Sequence, residues 1–88
     1  MIEINDILDE REKTHGDFYE QAFTAQEIKT AMHKMPNWRL LPPNMHEALE
    51  MVATKIARIG NGAWHEKDHW DDCIGYLTLV ARGLESND

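Results

Sequence analysis

The chain has 88 residues and a net charge of −7, from sixteen acidic and nine basic side chains. This charge argues against binding to nucleic-acid backbones, which depends on clustered Lys and Arg, and the length allows one domain over residues 1–88. The single cysteine, Cys73, excludes an internal disulfide, and such low cysteine usage is typical of cytoplasmic proteins. No apolar run is long enough to predict a membrane span. Because so short a chain buries little surface, we expect a homo-oligomer, most simply a homodimer.

Helical patterns and almost no strand signals predict an all-α fold, a small bundle of about four helices. Apolar residues from Ile4 to Leu8 predict a first helix that ends near Gly16. Asp17 followed by Glu20 forms a capping box, which begins the second helix. That helix carries apolar residues at helical spacing: Phe18, Ala22, Ala25, Ile28, Met32 and Met35.

The middle of the chain contains two signals that interrupt helices. Thr24 with Glu27 forms a second capping box, which leaves open a break in the second helix. Three prolines predict a Pro-rich middle loop at about residues 35–44, because proline disfavours helical geometry in the residue before it. Trp38 is expected to anchor this loop to the core.

The second half of the chain predicts two longer helices. Asn44 with Glu47 forms a third capping box, which begins a helix that continues to about Ile59 and ends at Gly60. The last helix is expected over about residues 66–82, and the short connection makes these two helices an antiparallel pair. The apolar stripe predicted to face the core from the last helix comprises Trp70, Cys73, Ile74, Leu77, Val80, Ala81 and Leu84.

His65-Glu-Lys-Asp-His69 matches the H-E-x-x-H zinc signature, in which two histidines one helical turn apart bind the metal and the glutamate acts as general base. We do not favour zinc here, because the two middle residues are charged and no later histidine supplies a third ligand. The chain is also too short to build a substrate cleft around such a centre. A zinc site at residues 65–69 is therefore the remote alternative.

Carboxylates at helical spacing suggest a metal site between the last two helices. Glu47 and Glu50 share one face of their helix, and Asp68 and Asp72 lie near the start of the next. Carboxylates that face each other across two helices suit Mg²⁺, which binds one or two of them and keeps waters for phosphate oxygens. The alternative is structural, since capping and the helix dipole also favour acids at helix N-termini.

Two basic residues, Lys55 and Arg58, lie one turn apart on the third helix and border its apolar stripe. If this face meets the last helix, Asp68 or Asp72 can pair with Arg58 as a structural clamp. Alternatively, both basic residues bind nucleotide phosphates while the acids hold the metal. Tyr76 is expected to hydrogen-bond to Asp72.

Several motifs follow one another in a distinctive order: Arg11, His15-Gly16-Asp17, Trp38, Met51, Lys55-Ile-Ala-Arg58, Asp68-x-Trp70-x-Asp72 and Gly75-Tyr76. This order resembles an uncharacterised family of short domains encoded by phages and prophages, which reads roughly Tyr-Gly-Asp, Lys-x-x-Arg and Asp-x-Trp-x-Asp-x-x-Gly-Tyr. The chain departs from that pattern by having His15 in place of the tyrosine and a longer Pro-rich middle. The resemblance marks four supporting residues of a site: Asp17, Trp70, Gly75 and Tyr76. Gly75 is expected to let a neighbouring element approach its helix closely.

The paired carboxylates are also distantly similar to the helix pairs of MazG-like all-α nucleotide pyrophosphohydrolases. The chain lacks the Glu-Glu doublet of that family and has Asp68 where the family has Glu. The resemblance implies binding of a dNTP, or its Mg²⁺-dependent pyrophosphohydrolysis, with turnover less favoured than binding. It implies a metal on Glu47, Glu50, Asp68 and Asp72 and phosphates on Lys55 and Arg58. The alternative is a non-catalytic acidic interaction module or an inhibitor of a host factor.

Overall fold

The computed structural model describes residues 3–85, and its architecture confirms the predicted all-α fold. Four α-helices follow one another in the order α1 (Ile4–His15), α2 (Phe18–His33), α3 (Pro43–Asn61) and α4 (Lys67–Glu85). A 3₁₀ turn, Trp38–Leu40, lies between α2 and α3, and no strand occurs among the described residues. The last two helices pack against each other, as predicted, and α3 also packs against α2 and α1. Helix α3 is therefore the central element.

The junction between α1 and α2 is set by a glycine and a helix cap. Gly16 has φ +83° and ψ −175°, a region that is essentially restricted to glycine. The Asp17 side chain accepts a hydrogen bond from the Glu20 backbone N–H at 3.1 Å, so the predicted cap of α2 is confirmed. The possible break at Thr24 does not occur: its hydroxyl donates to the Glu20 carbonyl at 3.0 Å, inside a continuous helix.

The Pro-rich segment is held to the body of the protein by aromatic rings and two histidines. The Trp38 ring stacks on His46, with ring centroids 4.4 Å apart, and His46 Nε2 donates to the Trp38 carbonyl at 2.6 Å. His33, whose ring centroid lies 5.2 Å from that of Trp38, has its Nε2 2.6 Å from Glu50 Oε1. Trp38 therefore anchors the segment, as predicted, and the two histidines are its neighbours.

Both ends of α3 differ from the sequence prediction. The helix begins at Pro43, with Pro42 as its N-terminal flank and no side-chain cap, so the capping box at Asn44 is wrong. Proline is well suited to the first helical position, because its missing N–H has no partner there anyway. The helix continues through Gly60 and ends at Asn61, and Gly62 follows it instead.

The core of this bundle is thin. The buried hydrophobic residues among those described are four alanines: Ala25, Ala48, Ala53 and Ala57. The radius of gyration is 15.2 Å, against about 12 Å for a compact domain of this length, and the extents are 49 × 27 × 23 Å. The chain is thus elongated, and much of its large apolar surface stays exposed.

The predicted core stripe of α4 is partly wrong. Trp70, Ile74, Leu77 and Leu84 are 46–62% exposed, whereas the buried side chain of this helix is His69. The helix is rotated so that its less exposed positions are His69, Cys73, Tyr76, Thr78 and Val80. Phe18, expected in the stripe of α2, is also exposed.

Candidate functional site

One of the two predicted basic residues forms an ion pair between α3 and α4. Lys55 Nζ lies 2.8 Å from Asp72 Oδ2, and the Lys55 side chain is nearly buried while that of Asp72 is half exposed. This hydrogen bond and the lysine charge lower the pKa of Asp72 below its usual value. Asp72 therefore pairs with Lys55 and not with Arg58, which corrects the predicted clamp.

Arg58 lies one turn after Lys55 and has no such partner. Its Nε atom is buried and makes no hydrogen bond within residues 3–85. A buried donor without a partner costs about 1–3 kcal/mol, and more when the group is charged. The same side chain lines a cavity of about 670 Å³ between α1, α2 and α3. Lys55 thus has an ion-pair partner, and Arg58 is the one of these two cations that remains available.

The walls of this cavity come mainly from α1, the junction at Gly16, and the first turn of α2. Arg11 adds a second guanidinium, whereas Glu12 and Asp17 add carboxylates. Phe18 and Tyr19 form an exposed aromatic rim, with their rings edge to face and centroids 5.7 Å apart. The cavity therefore combines cations on its wall with an aromatic edge at its mouth.

The α1–α2 junction is fixed in place by backbone contacts with the end of α3. A Cβ atom at Gly16 would lie 2.1 Å from the Asn61 carbonyl oxygen, and one at Gly62 would lie 2.5 Å from Thr14 O. The Ala63 N–H donates to the Thr14 carbonyl at 3.1 Å. Because only glycine fits at both positions, the junction packs directly on the helix that carries Arg58.

Two histidines meet behind this junction. His69 is 3% exposed, and its Nε2 donates to the Thr14 carbonyl at 2.9 Å. The His15 ring lies 5.1 Å from that of His69, centroid to centroid. Burial, then the charges of Arg58, His69, Lys55 and Arg11, lower the pKa of His15 to about 4. His15 is therefore neutral at pH 7, in a region already crowded with positive charge.

The carboxylates predicted to bind a metal do not meet in one place. Glu50 contacts His33, Asp72 pairs with Lys55, and both Glu47 and Asp68 are exposed. Within residues 3–85, no three His, Cys, Asp or Glu side chains are arranged to hold a metal ion. The magnesium site thus stays a prediction, and Glu50 and Asp72 already have protein partners within the chain.

The H-E-x-x-H stretch is not presented as one helical face. Helix α4 begins at Lys67, so His65 and Glu66 precede it and only His69 lies within it. His69 is directed inward to the Thr14 carbonyl, whereas His65 is exposed beside the Trp64 ring. The two histidines therefore do not form the i, i+4 pair that this signature requires.

The supporting residues named by the resemblance have varied surroundings. Asp17 caps α2 and lines the cavity. Trp70 is half exposed and donates from Nε1 to the Trp64 carbonyl at 2.9 Å. A Cβ at Gly75 would meet nothing within 4 Å, so no other part of residues 3–85 approaches the helix closely there. Tyr76 is partly buried, and no hydrogen bond joins it to Asp72 within the described helices.

Sequence reasoning did not assemble the cavity around Arg58. The sequence pattern identified Arg11 only as a member of a distinctive order, and it placed Phe18 in the core. The sequence feature that could have predicted this packing is the glycine pair Gly16 and Gly62, because two glycines at helix ends permit two backbone segments to approach closely.

Comparison with known proteins adds no relative, since no family model, curated protein or solved structure matches this chain. The resemblance to phage-encoded domains therefore stays a prediction. No helix among residues 3–85 is long and apolar enough to cross a membrane.

Proposed function

We propose that this protein binds a nucleotide through its phosphate groups, in the cavity lined by Arg58. The observation that carries the proposal is the Arg58 side chain, which lines a cavity of about 670 Å³ and forms no ion pair within residues 3–85. Cavities that bind small molecules measure about 300–1,000 Å³, so the volume suits a nucleotide. The dNTP class and the phage-type, cytoplasmic setting come from the sequence resemblance.

The guanidinium group suits phosphate because its planar fork of N–H donors can bind two oxygens at once. Arg11 lines the same cavity and supplies a second fork. Lys55 is held by Asp72, so in this proposal it raises the local positive potential without binding phosphate itself. Lys55, which was predicted to bind phosphate, therefore acts in this proposal only through its charge.

Two carboxylates, Glu12 and Asp17, also line the cavity and would repel an uncompensated phosphate. A magnesium ion carried in with the phosphates would offset that repulsion, because Mg²⁺ is usually bound by one or two carboxylates together with substrate phosphates. The proposed ligand is therefore the magnesium complex of a nucleotide. This role for Mg²⁺ does not need Glu47, Glu50, Asp68 and Asp72 to meet.

The aromatic rim offers a place for the base. Phe18 and Tyr19 are 67% and 81% exposed, which is costly for side chains of this size unless something covers them. Stacking of a base on an aromatic side chain contributes about 1–3 kcal/mol and tolerates all four bases. The proposal therefore expects phosphate-dependent binding with weak discrimination between bases.

Isothermal titration of the protein with dNTPs, with and without Mg²⁺, tests the proposal. Arg58→Gln is expected to weaken binding at least about tenfold, because charge-assisted hydrogen bonds contribute about 1.5–3 kcal/mol. The matched control is Arg39→Gln, which removes the same charge from the exposed 3₁₀ turn. Equal affinity in wild type and Arg58→Gln, or no binding of any nucleotide at millimolar concentration, would refute the proposal.

Release of pyrophosphate distinguishes catalysis from binding alone. A MazG-like pyrophosphohydrolase would release pyrophosphate in the presence of Mg²⁺, and Arg58→Gln would reduce that rate together with affinity. Binding without release would support a nucleotide-binding module that uses no catalysis. We favour binding, because Glu50 and Asp72 are already engaged by protein groups.

A further inference from the structure

Helix α4 carries an apolar face that nothing within residues 3–85 covers. Trp70, Ile74, Leu77 and Leu84 are 52%, 62%, 46% and 53% exposed, and Ala81 between them is exposed as well. We call these five residues the α4 stripe. Large apolar side chains exposed in a row usually mark an interaction surface. The buried hydrophobic residues among those described are four alanines, which shows how little apolar surface residues 3–85 bury on their own.

The spacing within the α4 stripe is that of a coiled-coil seam. Successive members are separated by four, three, four and three residues, which is the a/d pattern of two heptads. The stripe extends about 21 Å along the helix at 1.5 Å per residue. Such a seam is suited to one straight helix of similar length, and α4 itself, with 19 residues, is one.

Charges beside the stripe select a second copy in one orientation. Along one flank, Lys67 and Asp71 lie near the start of α4, where they form an ion pair with each other at 2.6 Å, and Arg82 and Glu85 lie near its end. If two copies of α4 run antiparallel with Leu77 at the symmetry axis, Asp71 lies opposite Arg82 of the second copy. The same arrangement brings Lys67 opposite Glu85, so both facing pairs have opposite charges.

A parallel arrangement offers no such match. Parallel seams bring one flank against the opposite flank of the partner helix. In α4 that opposite flank carries Cys73 and Val80, which are uncharged and partly covered by the rest of the chain. The charged flank is complementary only to itself, in the antiparallel direction.

We propose that the α4 stripe is a homodimer interface in which two copies of α4 pack antiparallel across a two-fold axis at Leu77. Trp70 then packs on Leu84 of the second copy, Ile74 packs near Ala81, and the two Leu77 side chains meet. The interface is isologous, so it closes at two copies. It lies on α4, away from the cavity at Arg58, and does not depend on the proposed nucleotide binding.

The test is the oligomeric state measured by sedimentation velocity across a dilution series. Leu77→Asp places two carboxylates at the symmetry axis and is expected to raise the dimer dissociation constant at least about 100-fold. The matched control is Leu79→Asp, because Leu79 is 66% exposed on the same helix but outside the stripe. That variant is expected to remain a dimer, and circular dichroism checks that both variants stay helical.

Charge reversal tests the orientation. Asp71→Arg alone faces Arg82 of the second copy and is expected to weaken the dimer about tenfold, while adding Arg82→Asp restores it. A wild-type protein that is monomeric at about 100 μM would overturn the proposal. Equal effects of Leu77→Asp and Leu79→Asp would overturn the assigned face, and failure of the double reversal to restore the dimer would overturn the antiparallel direction.

Discussion

The α1–α2 junction packs closely on the end of α3 at Gly16 and Gly62, and this backbone contact supports the cavity. Substitution of alanine at two glycines, one inside the contact and one outside it, tests the contact directly. Gly16→Ala introduces a Cβ only 2.1 Å from the Asn61 carbonyl oxygen, at a φ of +83°. The matched substitution is Gly60→Ala, because a Cβ at Gly60 would meet nothing within 4 Å in the interior of α3. The two variants add the same methyl group to neighbouring parts of the bundle.

The expected changes in the free energy of unfolding follow from the surroundings of Gly16 and Gly60. At Gly16 the backbone conformation costs a non-glycine residue about 1–3 kcal/mol, and forcing a methyl group against backbone adds about 1–3 kcal/mol. At Gly60 the replacement of glycine by alanine in an exposed helix stabilises by up to about 1 kcal/mol. The free energies of unfolding of the two variants are thus expected to differ by at least about 2 kcal/mol.

Urea unfolding followed by circular dichroism measures both free energies, with the slope of the transition as a check on two-state behaviour. Each kcal/mol corresponds to about 4–8 °C in the melting temperature of a domain of this size, so thermal melts give a second estimate. If Gly16→Ala is as stable as wild type, the backbone contact between the α1–α2 junction and α3 is refuted. If Gly60→Ala is strongly destabilised, the continuation of α3 through Gly60 is refuted.

Three further predictions concern charge and anchoring. Folding lowers the pKa of His15 from 6.5 to about 4, so between pH 6.5 and pH 4 the unfolded chain binds more protons than the folded one. The free energy of unfolding is therefore expected to fall as the pH drops from 6.5 to 4. The loss amounts to about 1–3 kcal/mol, and His15→Gln should flatten this part of a plot of urea midpoints against pH. The lowered pKa of Asp72 adds stability that is fully present above the unfolded pKa of 3.8. This stability is lost as pH falls from 3.8 through the lower pKa of the folded state. In Asp72→Asn this acid-dependent loss disappears, while the protein is less stable at pH 7 because the nearly buried Lys55 loses its partner. Equal urea midpoints for wild type and Asp72→Asn at pH 7 would contradict the ion pair. Trp38→Ala should lower the free energy of unfolding by about 2–3 kcal/mol, because the ring anchors the Pro-rich segment. The control is Trp64→Ala, which should lower it by less than about 1 kcal/mol because that side chain is 69% exposed. Similar losses in the two tryptophan variants would contradict the anchoring role.

The helices themselves were largely predictable, because their signals are local. Apolar spacing and glycine placed α1 correctly, and the Asp17 cap marked the start of α2. The errors fell at helix ends, where Pro43 began α3 and Gly62 followed it. Local patterns overlap there: a proline that interrupts one segment is also a good first residue for the next helix.

The rotation of α4 was not predictable from its own pattern. The helix has apolar residues on more than one side, and the widest stripe was assigned to the core. In the folded chain His69 faces inward instead, because its Nε2 can donate to the Thr14 carbonyl. A buried polar group with a good partner thus took the place that hydrophobicity alone assigned to Trp70 and Ile74.

The sequence by itself determined that this protein is an all-α bundle, and that Lys55 and Arg58 share one face of its central helix. Periodicity and spacing fix both facts, since they depend only on neighbours along the chain. Only the tertiary structure decided which of the two cations keeps a free donor. Asp72 on α4 reaches Lys55, while Arg58, one turn on, turns to the cavity beside Gly16. The physical reason is that a partner from another helix is set by packing, which no local pattern encodes.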